Sequence, residues 1–293
     1  MKIFNFAKLG QTLLMAAVLV VGAVCVSYGD NPSNLVGQWV NMNDGQKVEL
    51  FEDGTGVIGN ENITWKTMGK RFVLSSGNTS KVGDYNLSGY ELTRTFDGGE
   101  VIVWVRKDKV VEYNKKNSID FIDLRDGKKY RTVKIGGKTW MAQNLNYQID
   151  ISGCYGENNS NCEKYGRLYT WSTAMKACPV GWHLPSLSEW SDLAAVAGGD
   201  VAGKVLKSTV GWDSNGNGTD DFGFSALPGG NFDIDFNQKG HFKWVGNSGY
   251  WWTASMLRSS FIHARNMQYD KDGVRESGFG GGAALSVRCV KDE

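Results

Sequence analysis

Cys178-Pro179-Val180-Gly181-Trp182-His183-Leu184-Pro185-Ser186-Leu187-Ser188-Glu189-Trp190 joins a half-cystine candidate, a rigid apolar turn and a helix start with its cap written out. Pro179 and Gly181 end one helix and set a turn. Ser186 is the N-cap of the next helix, and Glu189 three residues later completes a capping box, which satisfies two amides that a first helical turn leaves without partners. Leu187, Trp190, Leu193, Ala194 and Ala197 then recur at helical spacing as its buried face, and Gly198-Gly199 stops it. The stretch reads as the core anchor of a domain, and what it anchors decides the fold.

The cysteines answer part of that question. Residues 1–29 read as a secretory leader: Lys2 and Lys8 supply the positive end, Leu13 to Val26 the apolar run, and Ser27-Tyr28-Gly29 a small-x-small cleavage site. The apolar run is short for a membrane span, so no transmembrane segment is expected in the mature chain. A lipoprotein attached through Cys25 is an alternative, disfavoured by Val24 where a small residue should stand. Cleavage leaves Cys154, Cys162, Cys178 and Cys289 in an oxidising compartment, and two disulfides are expected. Cys154 and Cys162 flank the polar loop Tyr155-Gly156-Glu157-Asn158-Asn159-Ser160-Asn161, which a local bridge would pin. That leaves Cys178 with Cys289, a closure of about 110 residues worth about 4.7 kcal/mol in the entropic account. A metal reading is weak, because no Cys-x-x-Cys occurs and His183, His241 and His263 lie at no ligand spacing.

Composition bounds the rest. The 293 residues have room for a leader and two domains, and 38 Gly against 4 Pro with 12% aromatic residues point to short strands and many turns. The 32 basic and 31 acidic residues nearly balance, and loss of Lys2 and Lys8 with the leader leaves a formal charge of −1. Nucleic acid is excluded as an electrostatic partner.

Residues 30–107 read as a small antiparallel β-domain, a barrel or curled meander. Strand-length runs such as Gly37-Gln38-Trp39-Val40, Lys47-Val48-Glu49-Leu50-Phe51, Arg71-Phe72-Val73-Leu74 and Val101-Ile102-Val103-Trp104-Val105 alternate with the turn pairs Asp44-Gly45, Asp53-Gly54, Ser88-Gly89 and Asp97-Gly98. Gly37-Gln38-Trp39, Glu49-Leu50-Phe51-Glu52-Asp53-Gly54-Thr55-Gly56 and Ile63-Thr64-Trp65 together resemble small bacterial lipocalin-like modules. A small-ligand carrier is the function that resemblance would imply, with a core plugged by its own side chains as the plainer alternative. Residues 108–126 are charged and read as a linker. From Tyr130 an α+β texture begins, with a hairpin around Gly136-Gly137, short helices at Ser172 to Ala177 and after Ser186, and a last strand, Leu285 to Val290, whose alternation points Leu285, Val287 and Cys289 inward.

Six separated blocks in this second half fall in one order: Trp140-Met141-Ala142-Gln143-Asn144-Leu145; the Cys154 to Cys162 loop with Tyr165-Gly166-Arg167-Leu168-Tyr169-Thr170-Trp171; the anchor; Gly223-Phe224-Ser225-Ala226-Leu227-Pro228-Gly229-Gly230; Trp251-Trp252-Thr253-Ala254-Ser255; and Ser286-Val287-Arg288-Cys289-Val290. Residues 127–293 thereby resemble the Fibrobacter succinogenes major paralogous domain, a secreted or surface module of bacteria. The order of elements is in turn similar to the C-type lectin-like fold shared by formylglycine-generating enzymes, where Leu-Pro-x-x-x-Glu-Trp and a final Arg-Cys strand also occur. The resemblance implies a fold with two short helices and disulfides, and fold does not imply function.

Site readings follow from residue types. Asp213, Asn215, Asn217, Asp220 and Asp221 form a candidate calcium loop, since Asp213-Ser214-Asn215-Gly216-Asn217-Gly218 reproduces the opening of such a loop; the twelfth position, which should be Glu, is Phe224. A metal-free polar turn is the alternative. No catalytic residue is assigned: the mature cysteines are better used as structural than as an oxidase pair, His183 reads as a packed side chain with one hydrogen bond, and Glu189 belongs to the cap. Trp212, Trp244, Tyr250, Trp251 and Trp252 are candidate ligand-binding rings, because sugar faces present C–H groups to flat aromatics. Alternation lets only one of Trp251 and Trp252 face the core. The expectation is a non-catalytic binding module, secreted or in the cell envelope, that takes polysaccharide or a surface protein; the alternative is an enzyme of the formylglycine-generating superfamily.

Overall fold

The computed structural model describes residues 32–117, 120–234, 239–258 and 261–293. The leader and Cys25 lie outside the described residues. The chain divides into two compact units, one over 32–41 and 47–106, the other over 42–46 and 107–293.

Eight strands close the first unit into an up-and-down antiparallel barrel: β1 (Gly37–Asn41), β2 (Lys47–Leu50), β3 (Thr55–Ile58), β4 (Glu61–Met68), β5 (Arg71–Ser76), β6 (Thr79–Ser88), β7 (Glu91–Phe96) and β8 (Val101–Arg106). β8 returns to β1 in the register Trp39 with Arg106 and Asn41 with Trp104, so the barrel has no free edge. β3 is a strand beyond those expected from the sequence. Gly56 interrupts its apolar pattern for a packing reason: a Cβ there would stand 2.5 Å from the Glu49 carbonyl oxygen and against Ile63. Trp39, Val48, Leu50, Ile63, Trp65, Phe72, Leu92 and Trp104 meet in the interior. The indoles bury with partners, Trp39 donating to the Leu35 carbonyl and Trp65 to those of Phe51 and Thr55. Arg94 is buried with them, its guanidinium 4.5 to 4.6 Å from the centres of the Phe72, Phe96 and Trp104 rings. Burial lowers its pKa to about 10, and the rings supply the attraction that an anion would otherwise give.

The second unit is mostly β. Its strands are β9 (Phe121–Ile122), β10 (Lys129–Tyr130), β11 (Thr132–Ile135), β12 (Lys138–Met141), β13 (Ser152–Gly153), β14 (Leu168–Thr170), β15 (Trp182–His183), β16 (Gly229–Ile234), β17 (Gly240–Val245), β18 (Ser248–Arg258), β19 (Phe261–Gln268), β20 (Arg275–Gly280), β21 (Ala284–Ser286) and β22 (Val290–Lys291). One sheet runs β11-β12-β22-β15; a larger one runs β13-β14-β21-β16-β18-β19-β20, with β17 on β16. Among the described residues five short helices accompany them, α1 (Val110–Asn117), α2 (Asn159–Tyr165), α3 (Trp171–Ala177), α4 (Leu187–Val196) and α5 (Ala202–Leu206), where the sequence reads as two with a further short one over Gly203 to Ser208. The stretch 108–126, expected as a linker, instead carries α1 and β9, and Asn114 buries its amide by donating to the Phe222 carbonyl at 2.9 Å.

The anchor sits where the two ends of this unit meet. α4 opens with both halves of the capping box formed, Glu189 N to Ser186 Oγ at 3.2 Å and Ser186 N to Glu189 Oε2 at 2.8 Å. Both disulfides are present, Cys154–Cys162 and Cys178–Cys289. β15 within the anchor pairs with β22, which β12 flanks on its other side. The last strand expected from Leu285 to Val290 is thus two strands in two sheets. The chain crosses between them at Val287, Arg288 and Cys289, all fully or almost fully buried, so both faces of that segment are core.

Candidate functional site

Of the five aromatic residues expected at a binding surface, four are core. Trp212 is buried and donates its indole N–H to Ser208 Oγ at 3.2 Å and the Ala226 carbonyl at 3.1 Å. Tyr250 packs edge-on against Phe279 with ring centres 5.4 Å apart. Trp251 and Trp252 are both 0% exposed. The expectation that one of the pair reaches solvent is therefore corrected. β18 lies inside the large sheet between two packed layers: Trp251 meets Trp190 of α4 on one side, and Trp252 meets Phe279 and the Tyr169 carbonyl on the other. A strand covered on both faces has no solvent side for alternation to select.

Trp244 is the exception, 53% exposed at the end of β17. Its backbone is left-handed, with φ 71°, which for a bulky side chain is strained by about 1 to 3 kcal/mol. The register explains how the strain is held. Asn231 pairs with Lys243 and Gly229 with Val245, so Trp244 stands opposite Gly230 with no extra residue on either strand, and the ladder is interrupted at that one position. Gly230 is itself left-handed, and a Cβ there would meet the Lys243 carbonyl oxygen at 2.4 Å. The turn beyond is tied down by Gly246 N to the Pro228 carbonyl and Asp213 N to the Gly246 carbonyl, both 2.9 Å.

Beside this hairpin lies an open apolar hollow of about 310 Å³ lined by Ile151, Leu168, Phe232, Phe242 and Ala284 among others. Phe242 stacks at tilted angles on Phe232 (5.1 Å) and Tyr155 (5.2 Å). Ile151 is 71% exposed and also left-handed, φ 53°. Ile151 lines this hollow and Trp244 stands two residues along β17 from Phe242 of its wall, each a solvent-facing apolar residue held in a strained backbone. Trp244 carries no spacing signal in the sequence that separates it from the buried tryptophans; its distinguishing features are the facing Gly230 and the Gly246 that follows.

The candidate calcium loop folds for a different reason. Gly216 lies on Tyr269, and Gly218 lies on the carbonyls of Lys204 and Lys207, at distances a side chain would not allow. Asn217 Oδ1 accepts from Trp212 N at 3.0 Å, and Asp220 is taken by Ser225, through its N and Oγ, both 2.7 Å. Burial raises the Asp220 pKa, with the two Ser225 hydrogen bonds opposing. Among the described residues no group of three or more His, Cys, Asp or Glu is gathered around a common point. The cation in this region is internal: the ammonium of buried Lys207 donates to the carbonyls of Gln268, Tyr269 and Lys271 at 3.1 to 3.4 Å.

His183 has more partners than expected. Its Nδ1 lies 2.6 Å from Asp292 and its Nε2 3.0 Å from Glu189, which Lys138 also reaches at 3.4 Å. Partial burial disfavours the charged ring, but the two carboxylates outweigh it and raise the pKa. All four cysteines of the described residues are in disulfides, so no thiol there is available as a nucleophile.

Over residues 133–291 the sequence matches the Fibrobacter succinogenes major domain. Neither a curated protein nor a solved structure matches the chain. With more than half its length in that match, the chain belongs to the Fibrobacter succinogenes major domain family.

Proposed function

We propose that this protein is a non-catalytic binding module of the cell envelope, whose second unit, of C-type lectin-like fold, holds a polysaccharide chain against Trp244. The observation that carries the reading is that ring: half exposed, kept in a left-handed backbone by Gly230, and next to an apolar hollow. A flat ring and an apolar groove suit the C–H faces of a sugar chain, whereas acid–base chemistry would require convergent titratable groups there. The two disulfides fit an oxidising compartment outside the cytoplasm. No helix among the described residues is long and apolar enough to cross a membrane.

The test is retention of the purified protein on a panel of soluble and insoluble glycans, repeated with Trp244→Ala. Retention that the substitution removes, with an unchanged melting temperature, supports the reading. A wild-type protein that no glycan retains defeats it and leaves a surface protein as the partner to seek.

A further inference from the structure

A second, polar hollow of about 270 Å³ opens where β10 and α2 approach the segment before β16. Its lining carries four cations, Lys128, Lys129, Arg131 and Lys164, against one carboxylate, Glu163. Lys128 and Lys129 are matched by neighbours outside the hollow, Asp126 at 3.2 Å and Asp120 at 3.1 Å. Among the described residues the Arg131 guanidinium makes no hydrogen bond or ion pair, though it feels the charge of Asp220, and the Lys164 ammonium has only the Tyr165 ring, 4.7 Å from its centre. Asn146 in the same lining is nine-tenths buried and its amide oxygen is enclosed beneath the surface. The hollow therefore combines excess positive charge with a ring-sized space.

We infer that this hollow is a subsite for an acidic sugar, a uronate-type residue whose carboxylate is drawn to Arg131 and Lys164 and whose ring fills the space. A simple anion uses the cations and leaves the hollow unfilled; a neutral sugar does the reverse. Only a ligand with both a charge and a ring answers both features. The size fits one pyranose ring rather than an extended ligand. The inference rests on the glycan reading and deepens it by naming the sugar class.

The hollow is continuous in sequence with the Trp244 face. Leu227 on its rim stands two residues before Gly229, which pairs with Val245 next to Trp244. The bridged loop joins the two in the same way, with Tyr155 against Phe242 before Cys162 and Lys164 in the hollow after it.

Calorimetric titration of the purified protein with a galacturonate oligosaccharide and with a neutral galacto-oligosaccharide of equal length tests this, alongside Arg131→Gln/Lys164→Gln and inorganic phosphate as competitor. The acidic sugar is expected to bind about fivefold tighter or more, with the preference shrinking as salt rises. The double substitution should erase the preference while neutral binding and melting temperature stay as they were. Equal wild-type affinities, a preference that survives the double substitution, or phosphate binding as tightly as the acidic sugar overturns the inference and leaves the glycan reading standing. Failure of both oligosaccharides to bind overturns the two together.

Discussion

Arg288 and Asn144 are 144 positions apart and meet in the centre of the second unit, Arg288 Nη2 2.8 Å and Nε 3.1 Å from Asn144 Oδ1. Around them converge several of the separated sequence blocks of this unit. Trp251 donates its indole N–H to the same Asn144 oxygen at 2.8 Å, Asn144 Nδ2 donates to the Tyr165 carbonyl at 2.7 Å, and Arg288 Nη1 donates to the Phe224 carbonyl. The guanidinium also lies 4.3 Å from the Phe224 ring centre. Burial lowers the Arg288 pKa to about 9, with Asp220 partly offsetting it. The group therefore remains charged at neutral pH.

Arg288→Leu takes two of three donors from the Asn144 oxygen, leaving only Trp251, and strands the Phe224 carbonyl. We expect a loss of about 3 to 5 kcal/mol, read from urea denaturation, with glycan binding per folded molecule unchanged. A loss below 1 kcal/mol would mean that the node is not what these motifs serve.

The Lys207 ammonium already holds three carbonyls beside the candidate calcium loop, and on that geometry we expect calcium to add nothing. Addition of calcium or of a chelator should leave the melting temperature where it was, and Lys207→Met should cost about 2 to 4 kcal/mol by stranding the carbonyls of Gln268, Tyr269 and Lys271. A rise in melting temperature with calcium would show that Asp213, Asp220 and Asp221 rearrange around the ion.

Much of the fold is legible in the sequence because its cues are local. The capping box of Ser186 and Glu189, the Gly136-Gly137 hairpin and the pairing of Cys178 with Cys289 rest on spacing or on counting, and each appears as expected. The helix α1 within 108–126 and the switch of sheets at Val287 to Cys289 are not legible, since each depends on what packs from elsewhere in the chain. The aromatic site fails for the same reason. Alternation separates two faces of a strand but says nothing of whether a second layer covers the outer one, and at Trp251 and Trp252 one does. Trp244 escapes because its backbone is left-handed opposite a left-handed Gly230, and that arrangement is a property of the pairing rather than of either segment alone.

That contrast separates binding from folding by substitution. Trp251→Ala and Trp252→Ala each empty a core position and should cost about 3 to 5 kcal/mol in chemical denaturation. Trp244→Gly removes the exposed ring and relaxes a left-handed backbone, so stability should stay within about 0.5 kcal/mol or rise while glycan retention falls. If Trp244→Gly destabilises as much as Trp252→Ala, the ring is structural and its place in binding is lost.

The contact between the anchor and the chain's last residues has its own pH signature. His183 lies between Glu189 and Asp292, with Lys138 bridging Glu189 and Glu293. Because the folded His183 pKa is raised above 6.5, its contribution is fully present below that value and disappears as pH rises through the folded pKa. Glu189 behaves oppositely: burial pushes it up, but the Ser186 amide and His183 outweigh this and hold it below 4.5, so its contribution is present above 4.5 and fades as pH falls through the folded value. The His183–Glu189 pair is therefore strongest between about pH 4.5 and 6.5, when the Glu189 carboxylate and the His183 imidazolium are both charged. His183→Gln should flatten the decline of melting temperature between about pH 6 and 8, and leave the acid-side decline from Glu189 in place, smaller because one of its donors is gone. A profile that the substitution does not change would assign the pH dependence to other groups and reduce His183 to a surface contact.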